Sequence, residues 1–232
     1  METLWQDLKY GARMLAKSPG FTAVAVLTLA LGIGANTAIF SVVNAILLKP
    51  LPFQQPDQLV YIQETARRET VESRPLSYPN FLDWRARSKS FSGMAALDSA
   101  AYTLTGSEQA ERITGEGVSA GYFDLLGSRP ILGRAFAPEE DQGSTGERVA
   151  IISHNLWQRR FGTNPEVIGE LITLNNHGYT IVGVAPAGFH GLNDDTEVWI
   201  PFTADPDTAG LRARRGSRWH EALGRLHPTV SL

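Results

Sequence analysis

The chain has 232 residues, 43% hydrophobic and 19% charged, and its 21 Lys and Arg against 24 Asp and Glu leave a formal net charge of -3. That near-neutral balance offers no electrostatic footprint for a nucleic acid, so no nucleic-acid partner is expected. With no cysteine in the sequence, disulfides, thiolate metal sites and cysteine nucleophiles are excluded.

Residues 2–17 have the spacing of an amphipathic helix. Leu4, Leu8, Gly11 or Ala12, and Leu15 share one face, and Lys9, Arg13 and Lys17 flank it. With Trp5 beside the apolar face, residues 1–20 suit a helix lying in the cytoplasmic membrane interface, with lipid as its neighbour. Ser18-Pro19-Gly20 then opens a second helix, Ser18 as its cap and Pro19 in its first turn.

Phe21 to Leu48 runs about 28 residues without a charge, where about 20 suffice to cross the hydrocarbon core. A cleaved signal peptide has an apolar core of only about 7–15 residues, and a buried helix of a soluble protein usually shows polar positions within this length. The stretch is read as a transmembrane helix over 21–48, ended by Lys49-Pro50-Leu51-Pro52. Three cations lie just before it and only Lys49 close behind, which keeps the N-terminus inside and exports the rest. Ala30, Gly34, Thr37, Ser41 and Asn44 recur at steps of four and three, a stripe of small and polar side chains suited to packing against other transmembrane helices or a second copy of the chain.

Beyond the prolines the pattern is mixed. Leu59–Glu64 reads as the first exported strand, and Ala66–Arg74 as a charged loop. Ser77 opens a helix carrying Tyr78, Phe81, Leu82, Trp84 and Arg85. Ala95–Thr105 and Glu111–Val118 alternate as strands, and Ala120–Leu126 forms a short helix closed by Gly127. Val149–Ile152 is an apolar strand. Ser153 caps the next helix, with Leu156, Trp157, Arg160 and Phe161 at helical spacing, stopped by Gly162–Pro165. Leu171–Leu174 and Tyr179–Val184 form a hairpin around Asn175-Asn176-His177-Gly178, and Val198–Pro201 is a further strand. The fold class expected is α+β: one N-terminal transmembrane helix followed by a mixed α+β periplasmic core domain.

Little of this carries chemistry. P-loop, zincin and EF-hand patterns are absent from the sequence. Ser153-His154 sits where a cap is needed. His190, Asp194 and Asp195 are a metal set only if their loop converges, and a solvated loop is the plainer reading. His177 reads as a turn residue, Arg212, Arg214, Arg215 and Arg218 as a solvated basic run, and Gly115-Glu116-Gly117 is too short for a phosphate loop. No catalytic, cofactor-binding or metal residue is nominated, and no enzyme is expected.

Three ordered segments carry a resemblance. The first is Asp7-Leu8-Lys9-Tyr10-Gly11-Ala12-Arg13 leading to Gly34-Ala35-Asn36-Thr37-Ala38-Ile39-Phe40-Ser41-Val42-Val43-Asn44. The second is Tyr122-Phe123-Asp124-Leu125-Leu126-Gly127 with Pro130-Ile131-Leu132-Gly133-Arg134-Ala135-Phe136. The third is Ala150-Ile151-Ile152-Ser153 with Leu156-Trp157-Gln158-Arg159-Arg160-Phe161-Gly162, then Tyr179-Thr180-Ile181-Val182-Gly183-Val184. In this order they resemble MacB/FtsX-type ABC transporter permeases, above all the orphan form without a fused ATPase.

The resemblance implies residues 49–232 as a MacB-like periplasmic core domain, incomplete at its C-terminus. It also implies a bacterial inner-membrane location, a separate cytoplasmic ABC ATPase as partner, and an export or mechanotransmission role. The family's later helices and ATPase contact would follow Leu232, so a fragment or truncated permease is expected. A single-pass anchored domain binding a periplasmic protein, peptide or glycan is the alternative, and an anchored hydrolase a third.

Overall fold

The computed structural model describes residues 2–43, 53–65, 73–106, 109–141, 147–193 and 195–230. The chain divides into two compact units, Met1–Leu51 and Pro52–Leu232.

The first unit contains two helices, α1 (Glu2–Lys17) and α2 (Pro19–Val43). Pro19 sets the break between them, because its ring displaces the carbonyl four residues back and it has no N–H to donate. That carbonyl, on Leu15, is satisfied instead by the Thr22 hydroxyl at 2.6 Å and the Ser18 N–H at 3.3 Å. Thr22 N–H in turn reaches the Ser18 carbonyl at 3.0 Å. Pro19–Ser41 has a mean hydropathy of 1.9, with none of its most apolar window buried. It is the one helix among the described residues long and apolar enough to cross a membrane. The expected helix to Leu48 is observed to Val43, and residues 44–50 lie outside the described residues.

The second unit is built on a curled mixed sheet. Its strands are β1 (Leu59–Ile62), β4 (Phe91–Thr105), β5 (Glu111–Val118), β6 (Leu132–Gly133), β7 (Val149–Ile152), β8 (Leu171–Leu174), β9 (His177–Val184), β10 (Val198–Pro201) and β11 (Glu221–Leu226). A separate ladder pairs β2 (Glu64–Thr65) with β3 (Ser73–Arg74). Four helices complete the unit: α3 (Tyr78–Arg87), α4 (Tyr122–Leu126), α5 (His154–Phe161) and α6 (Ala209–Arg212).

The main sheet runs β1-β11-β4-β5-β10-β7-β9-β6, and β8 pairs with both β4 and β9. Pairing is therefore continuous around β4, β5, β10, β7, β9 and β8, a closed ring of six strands. Alternation along the strands separates two apolar faces. Tyr102, Leu104, Ile113, Ala150, Ile152, Ile172, Tyr179, Ile181, Val198 and Ile200 make one cluster, sealed by Leu156 of α5. Leu97, Val118, Val149, Ile151 and Trp199 face the other way and pack under Tyr122, Phe123 and Leu126 of α4. Gly115 leaves room inside the ring for Tyr102, since a Cβ there would lie 2.5 Å from the Tyr102 ring.

The local signals are met where the chemistry is local. Ser77 and Ser153 accept from Asn80 N–H and Leu156 N–H and cap α3 and α5. Asn175 and Asn176 sit at φ 47° and 65° in a two-residue turn, the geometry that suits strand twist. This corrects the expected four-residue connection: His177 and Gly178 already belong to β9, and His177 lies opposite Leu174. Ser73 and Arg74 are likewise paired strand, not loop, and β4 begins at Phe91, because β11 supplies partners from Leu97 back to Phe91.

Candidate functional site

The transmembrane face nominated from the sequence lies on α2. Ala30, Gly34, Thr37 and Ser41 are all exposed, and a Cβ placed on Gly34 would meet nothing within 4 Å. Asn44, the fifth member, lies outside the described residues.

In the second unit, the densest polar centre is Glu116, in mid-strand on β5 and fully buried. Its Oε2 accepts from the Tyr122 hydroxyl at 2.8 Å and Trp199 Nε1 at 2.7 Å. Its Oε1 accepts from Asn193 Nδ2 at 2.8 Å and Leu192 N–H at 3.3 Å. One carboxylate thus ties together β5, α4, β10 and the loop after β9. Gly191, at φ 67°, lets that loop approach; a Cβ there would fall 2.5 Å from Glu116 Oε2. Burial raises the Glu116 pKa, and the hydrogen bonds from Tyr122, Trp199, Asn193 and Leu192 oppose the rise.

A second polar group sits where α3 meets the sheet. Asp141 accepts from the Tyr78 hydroxyl at 2.9 Å and the Ala120 N–H at 3.3 Å, with Arg85 at 3.8 Å. Asp98 is buried against Gly117 and Phe202, and burial, with Asp205 nearby, pushes its carboxyl up to about 7. His220 is enclosed by the Tyr78, Phe202 and Trp219 rings, and burial, with Arg212 nearby, holds it down at about 4. Neither of its ring nitrogens has a hydrogen-bond partner among the described residues.

The chemically suggestive residues of the sequence resolve into structural roles. Ser153 spends its hydroxyl oxygen on the α5 cap, and His154 lies edge-on against Trp157. His190 and Asp195 line one shallow polar cleft with Thr114 and Asn155. Asp195 accepts from the Thr114 hydroxyl at 3.3 Å, and Asp194 is outside the described residues. Arg214, Arg215 and Arg218 of the basic run are exposed in the loop after α6, as expected of a solvated run, and two of them are paired. Arg212 is buried at the end of α6, Arg215 pairs with Asp83 at 2.7 Å, and Arg218 with Glu64 at 2.8 Å. His177 faces Asp207 at 3.7 Å from the first position of β9.

The sequence also holds one nucleophile-elbow spacing not counted among the motifs above, Gly117-Val118-Ser119-Ala120-Gly121. It joins β5 to α4, as an elbow joins strand to helix. Ser119 is nevertheless fully buried, and its hydroxyl oxygen accepts from the Ala96 N–H at 3.0 Å. It pins β5 to β4. Glu116, too, is a residue the sequence reading passed over: it lies within the strand read over Glu111–Val118, but its partners Asn193 and Trp199 come from far along the chain. In both cases the polar atom serves as a brace.

Comparison with known proteins agrees with this architecture. Over 89 residues the chain is 33% identical to the macrolide export ATP-binding/permease protein MacB of Burkholderia thailandensis, covering 38% of this chain and 13% of that protein. It is 38% identical over 86 residues to MacB of Chlorobium phaeobacteroides, covering 36% and 12%. The chain therefore spans only about an eighth of these relatives' length. Among solved structures, it is similar to the periplasmic region of MacB from Actinobacillus actinomycetemcomitans, with a TM-score of 0.57 at 13% identity over 75% of this chain and 77% of that one. A domain of a permease protein from Porphyromonas gingivalis also gives 0.57, at 17% identity over 77% and 79%. At these identities the likeness is one of fold. The sequence matches the model of the MacB-like periplasmic core domain over residues 22–232, and the chain belongs to that family.

Proposed function

We propose that this chain acts as a membrane permease component of an ABC-type export or mechanotransmission system. In this reading residues 1–20 rest at the cytoplasmic surface, 21–48 cross the inner membrane, and 49–232 work as the periplasmic head. The observation that carries it is the pairing of an exposed, uncharged helix with a family domain whose buried Glu116 and Asp141 are taken up in bracing. Such a head suits the transmission of motion rather than turnover. The relatives are named as ATP-binding/permease proteins, which supports an ABC ATPase as the energy source; the resemblance to orphan permeases makes a separate cytoplasmic subunit its form. The stripe of Ala30, Gly34, Thr37, Ser41 and Asn44 would receive neighbouring helices.

The cysteine-free sequence makes the topology directly testable. Lys9→Cys and Leu171→Cys place single thiols at exposed positions in the two units. A membrane-impermeant maleimide applied to spheroplasts is expected to label position 171 alone, and both positions after permeabilisation. Labelling of position 9 from outside, or protection of 171, would overturn the topology. Co-purification from native membranes is expected to retain a P-loop ATPase. Retention of an extracytoplasmic protein with no ATPase would favour the anchored adaptor instead.

A further inference from the structure

Between Phe91 and Ala95, β4 is paired along one edge only. β11 accompanies it from Leu97 back to Phe91, but β5 ends at Val118, opposite Leu97. Ser119 covers one position more: its N–H donates to the Ala96 carbonyl at 2.9 Å, and its hydroxyl oxygen accepts the Ala96 N–H at 3.0 Å. The chain then turns away into α4, with the Tyr122 N–H bonded back to the Ser119 carbonyl at 3.0 Å. Backbone groups alternate between the two edges of a strand, so Met94 directs its N–H and C=O to the same side as Ala96. Among the described residues no strand lies opposite it there. Met94 is only 8% exposed, and backbone groups so deeply placed are almost always paired.

That open edge forms part of a groove between α3 and α4. A cavity of about 440 Å³ is lined by Arg85, Met94, Gly121, Asp124 and Phe136, and a second of about 270 Å³ shares Met94, Gly121 and Asp124 and reaches Arg225. A Cβ on Gly121 would meet nothing within 4 Å, so the α4 wall is open to a neighbour. Most of the charge along the groove is already engaged. Asp141 accepts from Tyr78 and Ala120 and faces Arg85, and Arg225 donates to the Leu125 and Gln55 carbonyls. Asp124 is exposed, and its carboxylate has no partner among the described residues.

We propose that this groove docks an extended segment of a partner protein, added to β4 as a short strand at Met94, with a lysine or arginine side chain set against Asp124. A buried N–H and C=O on one strand edge ask for an acceptor and a donor at strand spacing, which an extended peptide presents at every second residue. That requirement selects a peptide over a lipid or a glycan. Main-chain bonds of this kind supply the affinity in strand addition, and side-chain contacts supply the choice of sequence. Here the choice falls on a basic residue, because Asp124 is the charge left to complement. Docking uses only residues of the second unit, so it holds whether or not α2 spans a membrane.

The test uses disulfide tethering on the full, otherwise cysteine-free chain in detergent. Gly121→Cys places a thiol on the open wall, at a φ of -77° that any residue adopts. The probes are short acetylated and amidated peptides with a terminal cysteine and valines flanking a central lysine or a central glutamate. The fraction of mixed disulfide at thiol-exchange equilibrium is read by mass spectrometry. The lysine peptide is expected to give about two- to fivefold more adduct than the glutamate peptide, the range of an exposed ion pair. Asp124→Asn is expected to abolish that preference and Asp124→Glu to keep it, which separates the charge from any local change in α4. A lysine peptide N-methylated throughout cannot pair with a strand and is expected to fall to the yield at Leu171→Cys, an exposed position outside the groove. Equal adduct from the methylated peptide, or a lysine preference that survives Asp124→Asn, would overturn the proposal. Disulfide-linked dimers of Gly121→Cys that exclude the peptide would overturn it too, by making a second copy of the chain the occupant.

Discussion

Replacing Glu116 by Gln keeps the side chain's shape and removes one acceptor oxygen, which makes it the sharpest probe of the buried brace. Both carboxylate oxygens accept two donors each. If the amide NH2 replaces Oε2, it confronts Trp199 Nε1, which can only donate. If it replaces Oε1, it confronts the Leu192 N–H, and Asn193 must turn its amide and give up its bond to Ser99. Either way about two bonds to a charged acceptor are lost, at roughly 1.5–3 kcal/mol each. Against this stands the relief of no longer burying a charge, so the net cost is smaller than the sum.

The pH dependence gives the sign. The folded pKa of Glu116 is raised. The proton retained by the folded form therefore stabilises it most fully below the unfolded value, and that contribution is lost as pH rises through the folded value. Where the carboxylate is ionised the gap between wild type and Glu116→Gln is expected to be about 2–4 kcal/mol, and it widens as pH falls towards 4 and the folded form takes up its proton. For a domain of this size that is a fall in Tm of roughly 4–15 °C. The gap should narrow towards pH 8. Thermal unfolding of the detergent-solubilised chain, followed by tryptophan emission, measures it. Equal Tm values at every pH would refute the brace, and a gap that widens with pH would refute the reasoning from desolvation.

Asp98→Asn is expected to flatten a different part of the profile. With the folded pKa near 7, wild-type stability falls as pH rises from about 4 to about 7, and denaturant titrations across that window should show the fall only in the wild type. His220 works in the opposite sense. Its folded pKa is near 4, so its contribution is lost as pH drops from about 6.5 towards 4, and His220→Phe should remove that loss in the same titrations. Single cysteines at Ala30, Gly34, Thr37, Ser41 and Asn44 are expected to crosslink to a neighbouring helix in native membranes, more strongly than one at Leu31. Absence of crosslinks at all five positions would rule out the packing face.

The contrast between what was legible in the sequence and what was not follows the range of the interactions. The caps at Ser77 and Ser153 and the Asn175-Asn176 turn use atoms within four residues of one another, so residue type alone announces them. The strand at Ser73–Arg74 exists because Glu64 and Thr65 pair with it, and the first residues of β4 because β11 returns more than a hundred positions later. Neither has a local signature. The ion pairs of the exposed basic run were hidden for the same reason, since Asp83 and Glu64, which pair with Arg215 and Arg218, come from distant elements. The strand over Glu111–Val118 was legible, but not the role of Glu116 as its buried brace, since Asn193 and Trp199 reach it from distant elements. Gly115 and Gly117 leave room for Tyr102, Val198 and Asp98 to pack against the strand.

The ring of six strands has two narrow seams, β8 with β4 and β10 with β7, each with two residue pairs in register. Where β8 meets β4, only Leu104↔Leu174 and Thr105↔Thr173 are in register. The clasp of Asn175 on both backbone groups of Thr103 extends it by one position. The opposite junction, β4 with β5, holds eight residues in register. A pull that spreads the cylinder would part it at one of these two seams long before β4 and β5 separate.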